Sequence, residues 1–264
     1  MQDMTDSLHE VAKDCGGLVS VAVRDISRGS SFGMNEDAVV SSASVIKVPM
    51  LVEAMRQARD GLLSLETQYV LSDDARVDGS GVMRYLHTGT VLTLQDLLTL
   101  MVIVSDNTAT NMLIDILGID SVNATLRSLG CAQTTLQRKM YDWAAIDRGQ
   151  DNVCTAAEIA GLLARIATDQ AVGPGWDAKA MEILRHQQDC GKLGLMLPEG
   201  VKLANKTGSR EGIMHDCGIV TSGDLRYSIA VFTRDARSPG EAVLAIARVS
   251  RIVYDSLARG IIEQ

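Results

Sequence analysis

Apolar and polar positions alternate at both ends of the chain and recur at helical spacing between them. Leu18-Val19-Ser20-Val21-Ala22-Val23 alternates and ends at Arg24-Asp25, which predicts a strand. A turn around Ser27-Arg28-Gly29 and a return through Ser31-Phe32-Gly33-Met34 make it a hairpin. From Ser44 to about Ile166 the pattern is helical. Thr93-x-x-Asp96 opens an apolar helix reaching Val104, Asn107 to Leu117 stops at Gly118, and Asp120 to Leu129 stops at Gly130. Thr155-Ala156-Ala157-Glu158 reads as a capping box, in which threonine and glutamate satisfy each other's orphan N–H groups. A further helix is expected from about Asp177 to Gln188. Alternation then returns over Val201 to Lys206, Cys217 to Thr221 and Tyr227 to Thr233, and Ser238-Pro239-Gly240-Glu241 caps a last helix. The expected class is α+β, an α/β sandwich whose antiparallel sheet is built from both chain ends. It forms a single two-lobed domain, with residues 1–43 and 202–264 as the sheet lobe and 44–201 as an all-helical lobe.

Composition narrows the class. The 264 residues are 46% hydrophobic and 22% charged, enough for a sizeable core without disulfide or metal staples. A net charge of −8 repels phosphates at long range, so neither nucleic acid nor an anionic membrane is the expected partner. The N-terminus carries acids and no apolar core segment, so it is not a secretory signal. The expected compartment is the cytoplasm, or an exported one if a leader has been removed. The five cysteines contain no C-x-x-C pair and are read as reduced, partly buried thiols, and the four histidines lack ligand spacing, so no metal is expected. No organic cofactor is implied, and the oligomeric state is left open.

Candidate chemistry begins at Ser44-Val45-Ile46-Lys47. Residues three apart at a helix start share a face, and the helix N-terminus offers free N–H groups to a developing anion. A serine hydroxyl becomes a nucleophile only when a neighbouring base takes its proton, and a lysine serves only if burial or another cation lowers its pKa. Alone this pattern is weak, because S-x-x-K arises about once in such a chain by chance. Ser105-Asp106-Asn107 follows at a helix junction, and Lys206-Thr207-Gly208 ends a predicted strand. The three together, in this order and on these elements, are specific. Only seven lysines stand against eighteen arginines, and two of the seven fall in these motifs, where an amine able to lose its proton is needed.

S-x-x-K, S-D-N and K-T-G in this order resemble the class A β-lactamases and penicillin-binding proteins over roughly Leu18 to Leu257. The resemblance implies a sheet with flanking helices, a helical lobe, and a site between them acting on a small-molecule amide, lactam or ester. It implies Ser44 as the acylated nucleophile, Lys47 as base or relay, and Ser105 as the group passing a proton to the leaving nitrogen. Asn107 would hold the substrate's amide side chain, and Lys206 and Thr207 a carboxylate. Gly208 belongs to the same binding strand, and the N–H groups of Ser44 and Ser209 would form the oxyanion hole. Asn111 matches a position that braces the neighbouring loop.

The pattern breaks in that loop. Class A β-lactamases carry there a glutamate that activates the water hydrolysing the acyl-enzyme. The matching stretch, Leu136 to Ala145 and on to Asp151, holds no glutamate. Arg138 and Asp151, 13 apart, are candidates for the ion pair closing it. Asp142 is the nearest carboxylate, either the deacylating base or an ordinary loop acid or cap. Without a placed carboxylate, β-lactams are expected to acylate Ser44 and leave slowly. The alternatives are a penicillin or peptidoglycan-like ligand binder without turnover, and a cytoplasmic acyltransferase or amidase.

Other residues carry two readings each. Gly79-Ser80-Gly81-Val82 is a loop facing the nucleophile or a plain turn. His215-Asp216 assists proton transfer or, as favoured, forms a hydrogen-bonded pair at a strand edge. Trp143 lines the pocket or, as favoured, anchors the loop by packing. The twelve methionines are read as core filler and Cys217 as a buried, inert thiol.

Overall fold

The computed structural model describes residues 2–260. Its main sheet has five strands: β1 (Leu18–Asp25), β2 (Ser31–Met34), β7 (Lys202–Arg210), β8 (Ile213–Ser222) and β9 (Leu225–Arg234). They lie in the order β2-β1-β9-β8-β7, every pair antiparallel, so β1 near the start of the chain is zipped to β9 near its end. Period-two alternation divides the side chains between two cores. Val19, Val21, Val23, Ile229 and Val231 face α1 (Gln2–Cys15) and α9 (Pro239–Ala258), meeting Leu8, Val11, Val249 and Val253. Ala22, Ala230, Phe232, Cys217 and Ile219 face the larger, helical core.

That core is built from α2 (Lys47–Arg59), α3 (Leu94–Ile103), α4 (Asn107–Leu117), α5 (Ile119–Ser128), α7 (Ala156–Ala167) and α8 (Trp176–Arg185). The short α6 (Trp143–Asp147) sits in the loop between α5 and α7. Methionines fill this core as expected: Met50, Met55, Met83 and Met101 are fully buried. The Ser228 hydroxyl ties β9 to α7 by donating to Ala160 O at 2.7 Å. Among the described residues no helix is long and apolar enough to cross a membrane.

Several local expectations need amending. Helix α1 went unread, although Met4, Leu8, Val11 and Cys15 recur at helical spacing and are all buried. The stretch 44–166 is interrupted by two-stranded pairings, β4 (Gln68–Val70) with β5 (Val91–Thr93) and β3 (Val40–Ser41) with β6 (Val153–Cys154). Strands of two or three residues are too short to show alternation. The reciprocal capping box forms at Thr93–Asp96, but only half of it at Thr155–Glu158. There Thr155 accepts from Glu158 N, while the Glu158 carboxylate accepts from Gln133 N, Thr134 N and the Thr134 hydroxyl instead. A distant loop with unsatisfied donors outcompetes the local partner.

Candidate active site

Ser44 lies in a 3₁₀ turn, Ala43–Ile46, that runs directly into α2. In 3₁₀ geometry residues three apart eclipse, which brings Ser44 and Lys47 onto one line more closely than an α-turn does. Ala43 sits at φ 44°, a left-handed conformation costly for a residue with a Cβ. Lys47 is fully buried. Its Nζ is 2.8 Å from Ser105 O, 3.0 Å from Ser105 Oγ and 3.0 Å from Asn107 Oδ1. Burial, and then the charge of Lys206, hold its pKa well below the ordinary lysine value, against the opposing carboxylate of Asp106.

Ser105 bridges the two lysines. Lys206, also fully buried, donates from Nζ to Ser105 Oγ at 3.1 Å and to Thr207 O at 2.7 Å. Burial pushes its pKa down to about 8. Ser105 adopts φ 55° at the junction of α3 and α4, a kink that turns its hydroxyl out of the helix path. Asp106 caps α4 through Ala109 N at 2.9 Å, and its other oxygen accepts from Val82 N and Met83 N at 2.6 and 2.8 Å. This role escaped the sequence reading. It docks the 79–83 segment against the site, and a Cβ on Gly81, at φ 110°, would stand 2.3 Å from the Asp106 carboxyl.

The cleft between these elements has a volume of about 270 Å³, with Ser44, Ser80, Ser105, Thr207 and Ser209 in its wall. Edge strand β7 passes so near the nucleophile turn that a Cβ on Gly208 would lie 3.2 Å from Ser42 O and from Ser44 N. Asn107 spends Oδ1 on Lys47 and donates from Nδ2 to Asp78 O at 3.2 Å. Beyond Asp78 opens a wider recess of about 780 Å³, walled by Tyr85, Tyr141, Trp143, Arg76 and Arg84. Trp143 is 57% exposed and meets Tyr141 edge to face, which corrects the favoured reading of it as a packed loop anchor.

The 138–152 loop is closed as its end residues suggest. Arg138 donates to Asp151 Oδ1 at 3.0 and 2.7 Å, and Arg210 reaches the other oxygen at 3.0 Å. Asn152, unnoticed in the sequence, staples it further by accepting from Gln137 N and Arg138 N and donating to Arg138 O. Asn111 grips the backbone of Met140 from both sides, donating to its carbonyl at 3.1 Å and accepting from its N–H at 2.7 Å. The braced residue is therefore apolar and 8% exposed. Two of the three loop carboxylates are occupied: Asp142 caps α6 through Ala145 N at 2.9 Å and Asp151 is ion-paired, while Asp147 is exposed at the end of α6.

His215 and Asp216 do not pair, nor do they lie at an edge, since β8 is interior. As neighbours on a strand they project to opposite faces. His215 is fully buried, with Nε2 2.9 Å from Ser41 O and Nδ1 2.7 Å from Met214 O, and burial pushes its pKa down to about 4. Asp216 accepts from Asn205 Nδ2 at 2.9 Å and Leu193 N at 3.0 Å, and burial raises it to about 6. Cys217 is buried, and burial drives its thiol pKa far up, which leaves it unreactive. All five cysteines are free thiols. No cluster of metal-ligating side chains occurs among the described residues.

A family model described as "Beta-lactamase enzyme family" matches residues 3–257, and the chain belongs to that family. The crystal structure of the β-lactamase from Sphaerobacter thermophilus DSM 20745 superposes with a TM-score of 0.91 at 30% identity, covering 99% of this chain and 98% of that one. PBP-A, solved as an L158E mutant in an acyl-enzyme complex with penicillin G, shares the fold at a TM-score of 0.89 and 24% identity, covering 97% and 96%. A protein of Phocaeicola vulgatus named "Beta-lactamase" is 26% identical over 96% of this chain and 84% of its own length. The fold and family are those of a serine hydrolase.

Proposed function

We propose that Ser44 attacks a β-lactam, amide or ester carbonyl to form an acyl-enzyme that then breaks down slowly. The observation that carries this reading is the buried Lys47–Ser105–Lys206 chain beside Ser44. A neutral Lys47 amine has two N–H groups, which match Ser105 O and Asn107 Oδ1, and one lone pair, which matches the Ser105 hydroxyl. As the Oγ–C bond forms, the Ser105 O–H turns from Lys47 towards the leaving atom, and the freed lone pair takes the Ser44 proton. The oxyanion is met by the N–H groups of Ser44 and Ser209 across the Gly208 approach. The C–N or C–O bond then breaks, and Ser105 hands its proton to the leaving atom while Lys47 passes on the proton taken from Ser44. Lys206 keeps its own protons and donates a hydrogen bond to Ser105 Oγ. Lys206, positively charged below its pKa of about 8, draws a substrate carboxylate.

Water must lose a proton to discharge the ester, and within the loop Asp142 is spent on capping α6, Asp151 on its ion pairs, and Asp147 is exposed at the end of α6. Met140 stands where Asn111 holds the loop against α4, one turn from Asn107, and it has no basic atom. The wide aromatic recess beyond Asp78 suits substrates with a bulky acyl substituent. Intact-mass measurement after mixing with benzylpenicillin, and separately with p-nitrophenyl acetate, tests this reading. A long-lived adduct on wild type, absent from Ser44→Ala, is expected with benzylpenicillin. Absence of any adduct with both probes, or rapid release of hydrolysed penicillin without accumulation, would overturn it.

A further inference from the structure

The turn that carries Ser44 is strained at Ala43 and is held from the strand before it. Ser41 pairs with Val153 across β3 and β6, but Val153 spends its own N–H and carbonyl on Thr135 at 3.1 and 3.0 Å. In antiparallel geometry both main-chain groups of a residue point to the same side, so this pair exchanges no hydrogen bonds and the Ser41 carbonyl faces away from β6. There it meets His215 Nε2 at 2.9 Å, while the Ser41 hydroxyl accepts from Arg210 Nη1 at 3.0 Å.

A neutral imidazole carries one N–H. Placed on Nε2, that proton is donated to Ser41 O, and Met214 O, near Nδ1, keeps the Thr233 hydroxyl as its side-chain donor at 2.9 Å. The ring is locked by its contact with Phe232, centroids 4.5 Å apart, and cannot swing away. His215 also lies directly across the β7–β8 ladder from Gly208, the residue against which Ser42 O and Ser44 N are packed. One side chain therefore links the strand entering the nucleophile turn to the strand lining the other side of the oxyanion pocket.

We propose that His215 is a positioning residue: its hydrogen bond to Ser41 O holds the 42–44 turn so that the Ser44 N–H stands beside Gly208 and Ser209. Arg210 supports the same point and, through Asp151, couples it to the 138–152 loop. This role rests on the reading of Ser44 as the acylated residue. A left-handed alanine persists only where its surroundings over-determine it, and His215 and Arg210 supply two constraints two residues upstream.

The test compares His215→Phe, which keeps a ring against Phe232 but has no donor, with His215→Gln, whose amide restores one. Acylation by p-nitrophenyl acetate is followed over a range of concentrations, so that the limiting rate and the half-saturating concentration separate. His215→Phe should lower the limiting rate about tenfold to a hundredfold with half-saturation changed less than twofold, since only transition-state donors are displaced. His215→Gln should recover most of that rate. An unchanged rate in His215→Phe, or a glutamine variant as slow as the phenylalanine one, overturns the proposal. Hydrogen exchange of the Ser42 and Val45 amides, bonded to Asn152 O and Ser42 O, gives a readout that does not depend on chemistry. Faster exchange is expected in His215→Phe and recovery in His215→Gln, and equal exchange in all three proteins overturns it. Failure of wild type to acylate removes the reading of Ser44, while exchange still decides the hydrogen bond.

Discussion

Replacing Lys206 with methionine should raise stability at neutral pH and lower it at high pH. Lys206 is fully buried and held at about 8, against an ordinary value of 10.5. The unfolded chain therefore binds this proton more tightly than the folded one. The resulting cost, about 3 kcal/mol, is fully present below pH 8, shrinks as pH rises from 8 to 10.5 and vanishes above that. Methionine removes the cost but also the hydrogen bonds to Thr207 O and Ser105 Oγ, worth about 1 kcal/mol each. The net expectation is about 1 kcal/mol more stable than wild type at pH 7 and about 1 kcal/mol less stable at pH 10. Urea denaturation of both proteins at the two pH values measures this directly. The same substitution removes the positive charge that helps hold Lys47 low, so the acidic limb of the acylation profile with a neutral ester should move to higher pH. A variant less stable than wild type at pH 7, or a difference that does not change with pH, would refute the argument that burial strains this lysine.

Three further outcomes follow from the same geometry. Lys47→Arg should reduce acylation of Ser44 by about 10²-fold or more, because a guanidinium cannot accept the proton, while circular dichroism shows the fold retained. Asp151→Asn leaves the nearly buried Arg138 without its carboxylate and should cost about 2 kcal/mol in urea denaturation, less than a fully buried pair because Asp151 is 21% exposed. Burial raises the Asp151 pKa, but the Ser41 hydroxyl and the Arg138 and Arg210 guanidiniums outweigh it and hold it below 3.8. Its contribution is thus present above pH 3.8 and lost as pH falls through the folded value; a loss appearing already between pH 7 and 5 would contradict this. Met140→Glu puts a carboxylate at the braced point of the loop and should shorten the lifetime of the penicillin adduct about tenfold or more. An unchanged lifetime would mean that position 140 does not face the ester.

Helix boundaries and caps were readable where the signal is local. Asn107–Leu117 ends at Gly118 as expected, and Thr93 and Asp96 close a box within one turn. The pairing of Arg138 with Asp151 was readable through the family resemblance, which expects an ion pair to close this loop. Asp106 was passed over as the middle of a tripeptide, since its second oxygen serves N–H groups 23 and 24 residues upstream. His215 was misjudged for the same reason: its partner, Ser41, is 174 residues away.

Three short stretches by themselves determined the chemical inventory, a hydroxyl and two amines able to lose protons, because residue type and spacing within a turn or strand suffice for that. Only the tertiary structure decided that Lys47 and Lys206 converge on one hydroxyl in the interior, where burial lowers both their pKa values and the charge of Lys206 lowers that of Lys47 further. Desolvation and the field of a second charge depend on everything packed around a group, and no local pattern along the chain encodes them.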